Sequence, residues 1–521
     1  MSDTAHFDYV IAGAGSAGCT LAARLSEDPG VSVALIEAGP PDSADEIRIP
    51  AAVTALFKTR MDWDFDSEPE PSLGGRRLSL PRGRVLGGCS SINVMIYIRG
   101  SRADYDEWAA GGARGWSFDD VLPYFIRSED NERGVDGFHG VGGPLSVADS
   151  RSNHPFADVF VNAAEEAGYD RNPDFNGADQ IGFGRYQVTQ RDGMRCSAAT
   201  AFLHPAMRRP NLSVITGALV HRVSFRSRRA VGVQISRGGD IDQVHADREV
   251  VLAAGAYGSP HILLRSGVGP AEQLAAFGID LVSDLPVGQG LQDHLLVMLN
   301  YLTAEPSLRT AFSPENVALF DSVKRGPLTS NLGESGGFIR TCDMLDAPDI
   351  QFQCAPALFY DEGLGAPVAD GIAFGPNMLK PSSRGDVTLR SAAPDAAPRI
   401  LNRHLDSAGD RQCIVDGLRV ALDIAQQPAM KQLVTDAFRI PEGDSDRDLL
   451  DFVRRNGHTL FHPTSTCAIG SVVGNDLSVL GVDGLRVVDA SVMPSIVRGN
   501  TNAPVIMIAE RAADLIRGRI R

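Results

Sequence analysis

Cysteine is scarce and unpatterned in this chain. The seven cysteines, at 19, 89, 196, 342, 354, 413 and 467, are odd in number, and no two form a C-x-x-C pair. That argues against a disulfide framework or a zinc site and fits reduced thiols. Positive charge is also short: 49 Lys and Arg face 65 Asp and Glu, a formal net charge of −16. Nucleic acid and anionic membrane surfaces are poor partners for such a chain. Its one short basic run, Arg226-Ser227-Arg228-Arg229, reads as a solvated turn between two strands. No run approaches the ~18 uninterrupted apolar residues that cross a bilayer. Met1 to His6 offers neither a basic n-region nor an apolar h-region, so no secretory signal is expected. There is no internal repeat and no low-complexity tract. The absences together predict a cytoplasmic protein without metal and without an integral membrane segment.

What is there is core material. Hydrophobic residues make up 43% of 521 positions, enough for two domains around separate cores. Near the start, the apolar run Phe7 to Ile11 leads into Gly13-Ala14-Gly15-Ser16-Ala17-Gly18, and a second apolar run, Val31 to Ile36, ends in Glu37. This order, strand, glycine turn, helix, strand, acid, answers the needs of a bound dinucleotide. Gly13 permits the tight turn, Gly15 admits backbone close to a pyrophosphate, and Gly18 lets the helix lie on the sheet. The helix N-terminus offers free N–H groups to phosphate, and Glu37 can accept from a ribose diol.

Further along, residues 41 to 80 are rich in Pro, Asp and Ser and read as a long surface excursion. Alternating segments from Leu212 to Val223 and from Val231 to Ile235 precede the apolar strand Glu249 to Gly255, which turns into a helix at Ser259-Pro260. Between about 296 and 455 the texture changes. Short alternating strands, such as Ile350 to Cys354 and Asp386 to Leu389, alternate with Pro- and Gly-rich turns, and a helix is predicted from about Asp410 to Gln426. This predicts an α+β unit on an antiparallel sheet. The strand Leu485 to Asp489 and the helix Ala503 to Ile516, with Pro504 in its first turn, return to α/β texture. The predicted fold is therefore α/β: a Rossmann-like nucleotide domain (1–153, 197–295 and 456–521) interleaved with an α+β substrate domain (154–196 and 296–455).

The segment Gly83-Arg84-Val85-Leu86-Gly87-Gly88-Cys89-Ser90-Ser91-Ile92-Asn93 would let backbone pack flat against a planar group, with Asn93 at its edge. With Gly255-Ala-Tyr-Gly-Ser259-Pro260 and the residues up to Gly269, it resembles the two signature patterns of the glucose–methanol–choline (GMC) family of flavin oxidoreductases. His462-Pro463 and Asn500-Thr501-Asn502-Ala503-Pro504 also look like that family's, so the resemblance covers nearly the whole chain. Cys89 departs from the general pattern, which prefers Gly, Ser or Thr there.

The resemblance implies FAD, with Glu37 and Ala38 at the adenosine ribose and Val220 meeting adenine through its backbone. It places Asn93 and Val94 near the isoalloxazine and Asp489 and Ala490 near the ribityl chain. Gly13, Gly15, Ser16, Gly18, Arg84, Leu86, Gly88, Ser91, Ala254, Asn502 and Ala503 complete the implied cofactor site. Some relatives attach flavin through a histidine where this chain has Ile92, so a noncovalent flavin is expected. His462 matches the catalytic loop of the family and suits a base titrating near ~6.5. Asn502 matches the partner of that histidine, holding the substrate oxygen.

The expected reaction is oxidation of a primary alcohol to an aldehyde by hydride transfer to the flavin, with oxygen or another redox acceptor taking the electrons. A non-redox lyase of hydroxynitrile type and a fatty-acid photodecarboxylase share the family's fold and are the alternatives; NAD as the bound nucleotide fits the Gly87-Gly88 segment less well. His458 is a further candidate for the pocket wall, if one helical turn separates it from His462. His261 and His294 read as structural. Glu334 is a candidate to orient the base or meet a cationic substrate, with a solvated or cofactor-supporting role as the equal alternative, and Leu460 and Phe461 lie where packing would govern oxygen access.

Overall fold

The computed structural model describes residues 5–366 and 368–520. The run starting at Ala5 becomes the strand Ala5–Ala12, parallel to Val33–Ile36 on one side and to Asp240–Leu252 on the other. Leu212–Ile215 extends the parallel array beyond Val33–Ile36. All four residues of Val33–Ile36 are buried, as expected for a parallel strand covered on both faces. The long strand Asp240–Leu252 does double service. Its first half forms an antiparallel ladder with Arg229–Arg237, and its last three residues pair in parallel with Leu485–Val487 from the far end of the chain. The basic run at 226–229 is the turn of the hairpin that pairs Ala218–Arg226 with Arg229–Arg237. Helices Ser16–Leu25 and Asn502–Ile516 lie against each other beside this sheet.

A second, antiparallel sheet runs in the order Val434–Arg439, Leu299–Thr303, Gly371–Met378, Ile350–Ala355, Ser335–Ile339 and Gly182–Arg185. The two-residue strands Leu295–Leu296 and His458–Thr459 pair with each other at one end of it. Helix Ala408–Ala425, capped by Ser407, covers one face through Ile414, Leu418 and Ala421. The α/β class with a parallel nucleotide-type sheet and an antiparallel companion is therefore as the sequence predicts.

Two expectations need correction. Residues 41–80 are no surface excursion: Ile47, Val53, Leu56, Leu73 and Leu78 are buried, and Thr54, Phe57, Trp63 and Phe65 line the cavity described below. The strand expected at 386–389 exists as Gly385–Thr388, but it belongs to a separate small sheet with Gln289–Leu291 and Arg399–Leu401.

Candidate active site

One cavity of about 610 Å³ runs from the end of the parallel sheet to the antiparallel sheet. Its first half is built from helix ends and glycines. Helices Ser16–Leu25 and Asn502–Ile516 both bring their N-termini to the wall, and neither has a side-chain cap or an acidic residue in its first turn. Their uncapped N–H groups and dipoles suit an anion. Ser16 Oγ donates to Asn502 Oδ1 at 2.7 Å, tying the two helix starts together.

Close backbone approach is built in at two glycines. Gly13 has φ +103°, and a Cβ there would stand 2.6 Å from the Ala253 carbonyl oxygen. Gly88, at φ +53°, would put a Cβ 2.6 Å from the Gly15 Cα. Such positions admit only glycine. Glu37 is buried at the end of its strand and accepts from the Ala14 N–H at 3.0 Å and the Gly39 N–H at 2.8 Å. Burial pushes its carboxyl up to about 7. Arg84, also in the wall and 5.0 Å from the Trp63 ring, has a buried Nε without a hydrogen-bond partner among the described residues.

At the other half stands His462. Asp293 sets its backbone: Oδ1 accepts from the N–H of His462 at 2.8 Å and of His294 at 2.9 Å, while Oδ2 accepts from the Thr459 hydroxyl. Burial raises this carboxyl to about 6. The preceding Phe461 sits at φ +65°, which bulky residues rarely adopt, and its carbonyl accepts from Arg82 Nη2 at 2.7 Å.

The imidazole lies in a chain whose proton positions can be deduced. His294 Nε2 is 3.0 Å from the Leu379 carbonyl, an acceptor only, so this nitrogen carries a proton. In neutral His294 the Nδ1 then holds a lone pair, and His462 Nδ1, 3.0 Å away, donates to it. That leaves the lone pair of His462 on Nε2, where the Asn500 amide Nδ2 approaches to 3.4 Å. Asn500 is itself held by Gln351 Nε2 donating to its Oδ1 at 3.2 Å. Burial first, then His294 and the Arg82 charge, push His462 well below the ordinary histidine range, and burial drives His294 down to about 3. Both rings are neutral.

Models of the GMC oxidoreductase family match residues 7–296 and 381–509. The chain belongs to the GMC oxidoreductase family. It is 46% identical over 524 residues to an uncharacterised GMC-type oxidoreductase of Mycobacterium tuberculosis, covering 98% of this chain and 99% of that one. An oxygen-dependent choline dehydrogenase of Brucella ovis is 41% identical over 535 residues, with 98% and 96% covered. The crystal structure of pyridoxine 4-oxidase from Mesorbium loti superposes with a TM-score of 0.90 at 33% identity, covering 99% of this chain and all of that one. This GMC protein is thus an FAD-dependent oxidoreductase acting on CH–OH donors.

FAD fits the residues present. Paired helix N-termini could receive its diphosphate, the glycine cradle admits backbone, and Glu37 and Arg84 bring a carboxylate and an uncommitted guanidinium N–H to the same wall. Of the residues expected from sequence, Gly13, Gly15, Ser16, Glu37, Ala38, Arg84, Gly88, Asn93, Val94, Val220, Ala254, Asp489, Ala490, Asn502 and His462 line the cavity. Gly18, Leu86, Ser91 and Ala503 support it from behind: a Cβ on Gly18 would meet the Gly13 carbonyl oxygen, and the Ser91 hydroxyl donates to the Leu86 carbonyl at 2.7 Å.

Asn502 must be corrected as the partner of the histidine. Its side chain turns to Ser16, and Asn500 is the amide at His462 Nε2. Glu334 neither orients the base nor lines the cavity. It is fully buried and bound by the Ser330 hydroxyl at 2.6 Å, the His154 N–H at 2.9 Å and Arg185 at 3.5 Å. His294 proves to be more than structural, since it sets the tautomer of His462. His458 lines the cavity from a strand rather than a helix, and His261 lines it near Arg265.

Proposed function

We propose that this chain oxidises a primary alcohol to the aldehyde, with His462 Nε2 taking the hydroxyl proton. The observation that carries this reading is the fixed tautomer: the Leu379–His294–His462 chain leaves Nε2 as a lone pair facing the cavity beside Asn500. Bound FAD would supply a hydride acceptor at its N5. The Asn500 amide donates to the alcohol oxygen and holds it near Nε2. As the O–H proton passes to the imidazole, the electron pair of the adjacent C–H bond leaves with its hydrogen as hydride, and the C=O bond forms. His294 accepts from the Nδ1–H throughout, so the new imidazolium has a partner at both nitrogens. Oxygen or another electron acceptor then takes the two electrons.

His462→Ala should slow flavin reduction by alcohol by about 10²- to 10⁴-fold while FAD stays bound, measured by anaerobic stopped-flow. A wild-type rate in that variant would remove His462 from the role. The flavin is held noncovalently in this reading, since Ile92 stands in the cavity wall without a nucleophile. Acid precipitation should therefore release the yellow colour into the supernatant; colour in the pellet would refute it.

A further inference from the structure

Among the described residues that line the cavity, the carboxylates are Glu37, Asp395 and Asp489. None serves the His462 half. Glu37 closes the strand Val33–Ile36. Asp395 sits with Arg265 near Val220. Both oxygens of Asp489 are taken, by the Gly255 N–H and the Ser259 hydroxyl on one side and by Ser491 on the other.

The His462 half combines an apolar cluster with the uncharged polar side chains of His458, Asn500 and Gln353. Leu296, Met298, Phe359 and Leu460 pack together as one cluster, and the Phe57 and Phe461 rings meet at 6.0 Å. Arg82, held on the Phe461 carbonyl, is a wall residue at this end, whereas the Asp293 carboxylate lies behind the wall, bound to the His462 and His294 N–H groups and the Thr459 hydroxyl. Asp361 and Glu362 lie beyond this wall, in a separate cavity of about 30 Å³ that shares Met298, Phe359 and His458 with the first. Each is paired with an arginine, Asp361 with Arg439 at 2.6 Å and Glu362 with Arg76 at 3.4 Å.

A cation brought to His462 would lose its water and meet no carboxylate in the wall of this half. Ring faces attract a cation modestly, and no carboxylate of this half of the wall adds to that. An apolar group loses nothing polar there and buries its surface against the Leu296 cluster.

From this wall we infer that the substrate is an uncharged, apolar alcohol and that quaternary ammonium alcohols are excluded. The inference rests on the alcohol reading above and adds its specificity. One wall residue tunes it. Gln353 lies two positions along the strand from Gln351, which holds Asn500, so it projects from the same sheet face. It is buried, lines the cavity, and its Nε2 has no partner among the described residues.

The test compares choline with its neutral carbon isostere, 3,3-dimethylbutan-1-ol, and with benzyl alcohol, by anaerobic flavin reduction in the holoenzyme. The isostere or benzyl alcohol should exceed choline at least about tenfold in the second-order rate of reduction, a difference worth one decade of binding. Gln353→Glu keeps the side-chain shape, breaks no hydrogen bond and adds a carboxylate, so it should narrow the gap. Choline matching or exceeding both neutral alcohols would overturn the inference and leave alcohol oxidation standing. A flavin that none of the three reduces would overturn the alcohol reading, and this inference with it.

Discussion

Asn500 and Asn502 stand two residues apart and do different things. Asn502 opens its helix, so its side chain meets Ser16 and joins two helix starts. Asn500 lies before the turn, where its amide faces His462 Nε2. Asn500→Ala should therefore retain FAD but slow flavin reduction by about 10- to 100-fold, the value of one hydrogen bond to a charge-bearing oxygen. Asn502→Ala should reduce at a near-normal rate and lose FAD on gel filtration. Absorbance at the flavin band and single-turnover reduction separate the two, and the opposite pattern would restore Asn502 to the base. The distinction was not legible in Asn500-Thr501-Asn502, because it depends on which residue starts the helix. Nor was the part of His294: the 168 positions between it and His462 are bridged only once the segments around Asp293 and Thr464 pair.

Elements that carry their reason locally were legible, and those that depend on distant partners were not. Residues 9–12 and Val33–Ile36 are continuous apolar runs because both faces are covered, and the glycine turn between them has a steric cause in the backbone itself. The helix at Ala408–Ala425 announces itself by its buried face and Ser407. Sheet membership has no such local mark. Gly385–Thr388 alternates like its neighbours, yet it pairs with Arg399–Leu401 rather than with the large sheet. The polar composition of residues 41–80 concealed their inward face, since a few side chains such as Phe57 and Trp63 suffice to build a cavity wall. The first half of Asp240–Leu252 was also hidden, because its opening residues are exposed beyond the core.

At the scale of the molecule, segment 41–80 lines the cavity and is fastened to the small sheet, with Glu70 as one of its anchors. Its Oε1 accepts from the Asn402 N–H at 2.8 Å, beside the strand Arg399–Leu401, while Oε2 is buried without a partner. Burial pushes this carboxyl from an ordinary 4.5 up to about 7. The folded protein therefore binds the Glu70 proton more tightly than the unfolded chain does. Stability from this group is complete below pH about 4.5 and is lost as pH rises toward about 7, by on the order of 3 kcal/mol. Glu70→Gln removes the titration but keeps the acceptor for Asn402. Glu37 and Asp293, also raised by burial, are present in both proteins and cancel in the comparison. Relative to wild type, the variant should gain stability steadily between pH about 4.5 and 7 and hold that gain above, read from urea midpoints across the range. A difference that stays constant with pH would mean that Glu70 is not ionised against a burial cost, and that segment 41–80 is held by its backbone contacts alone.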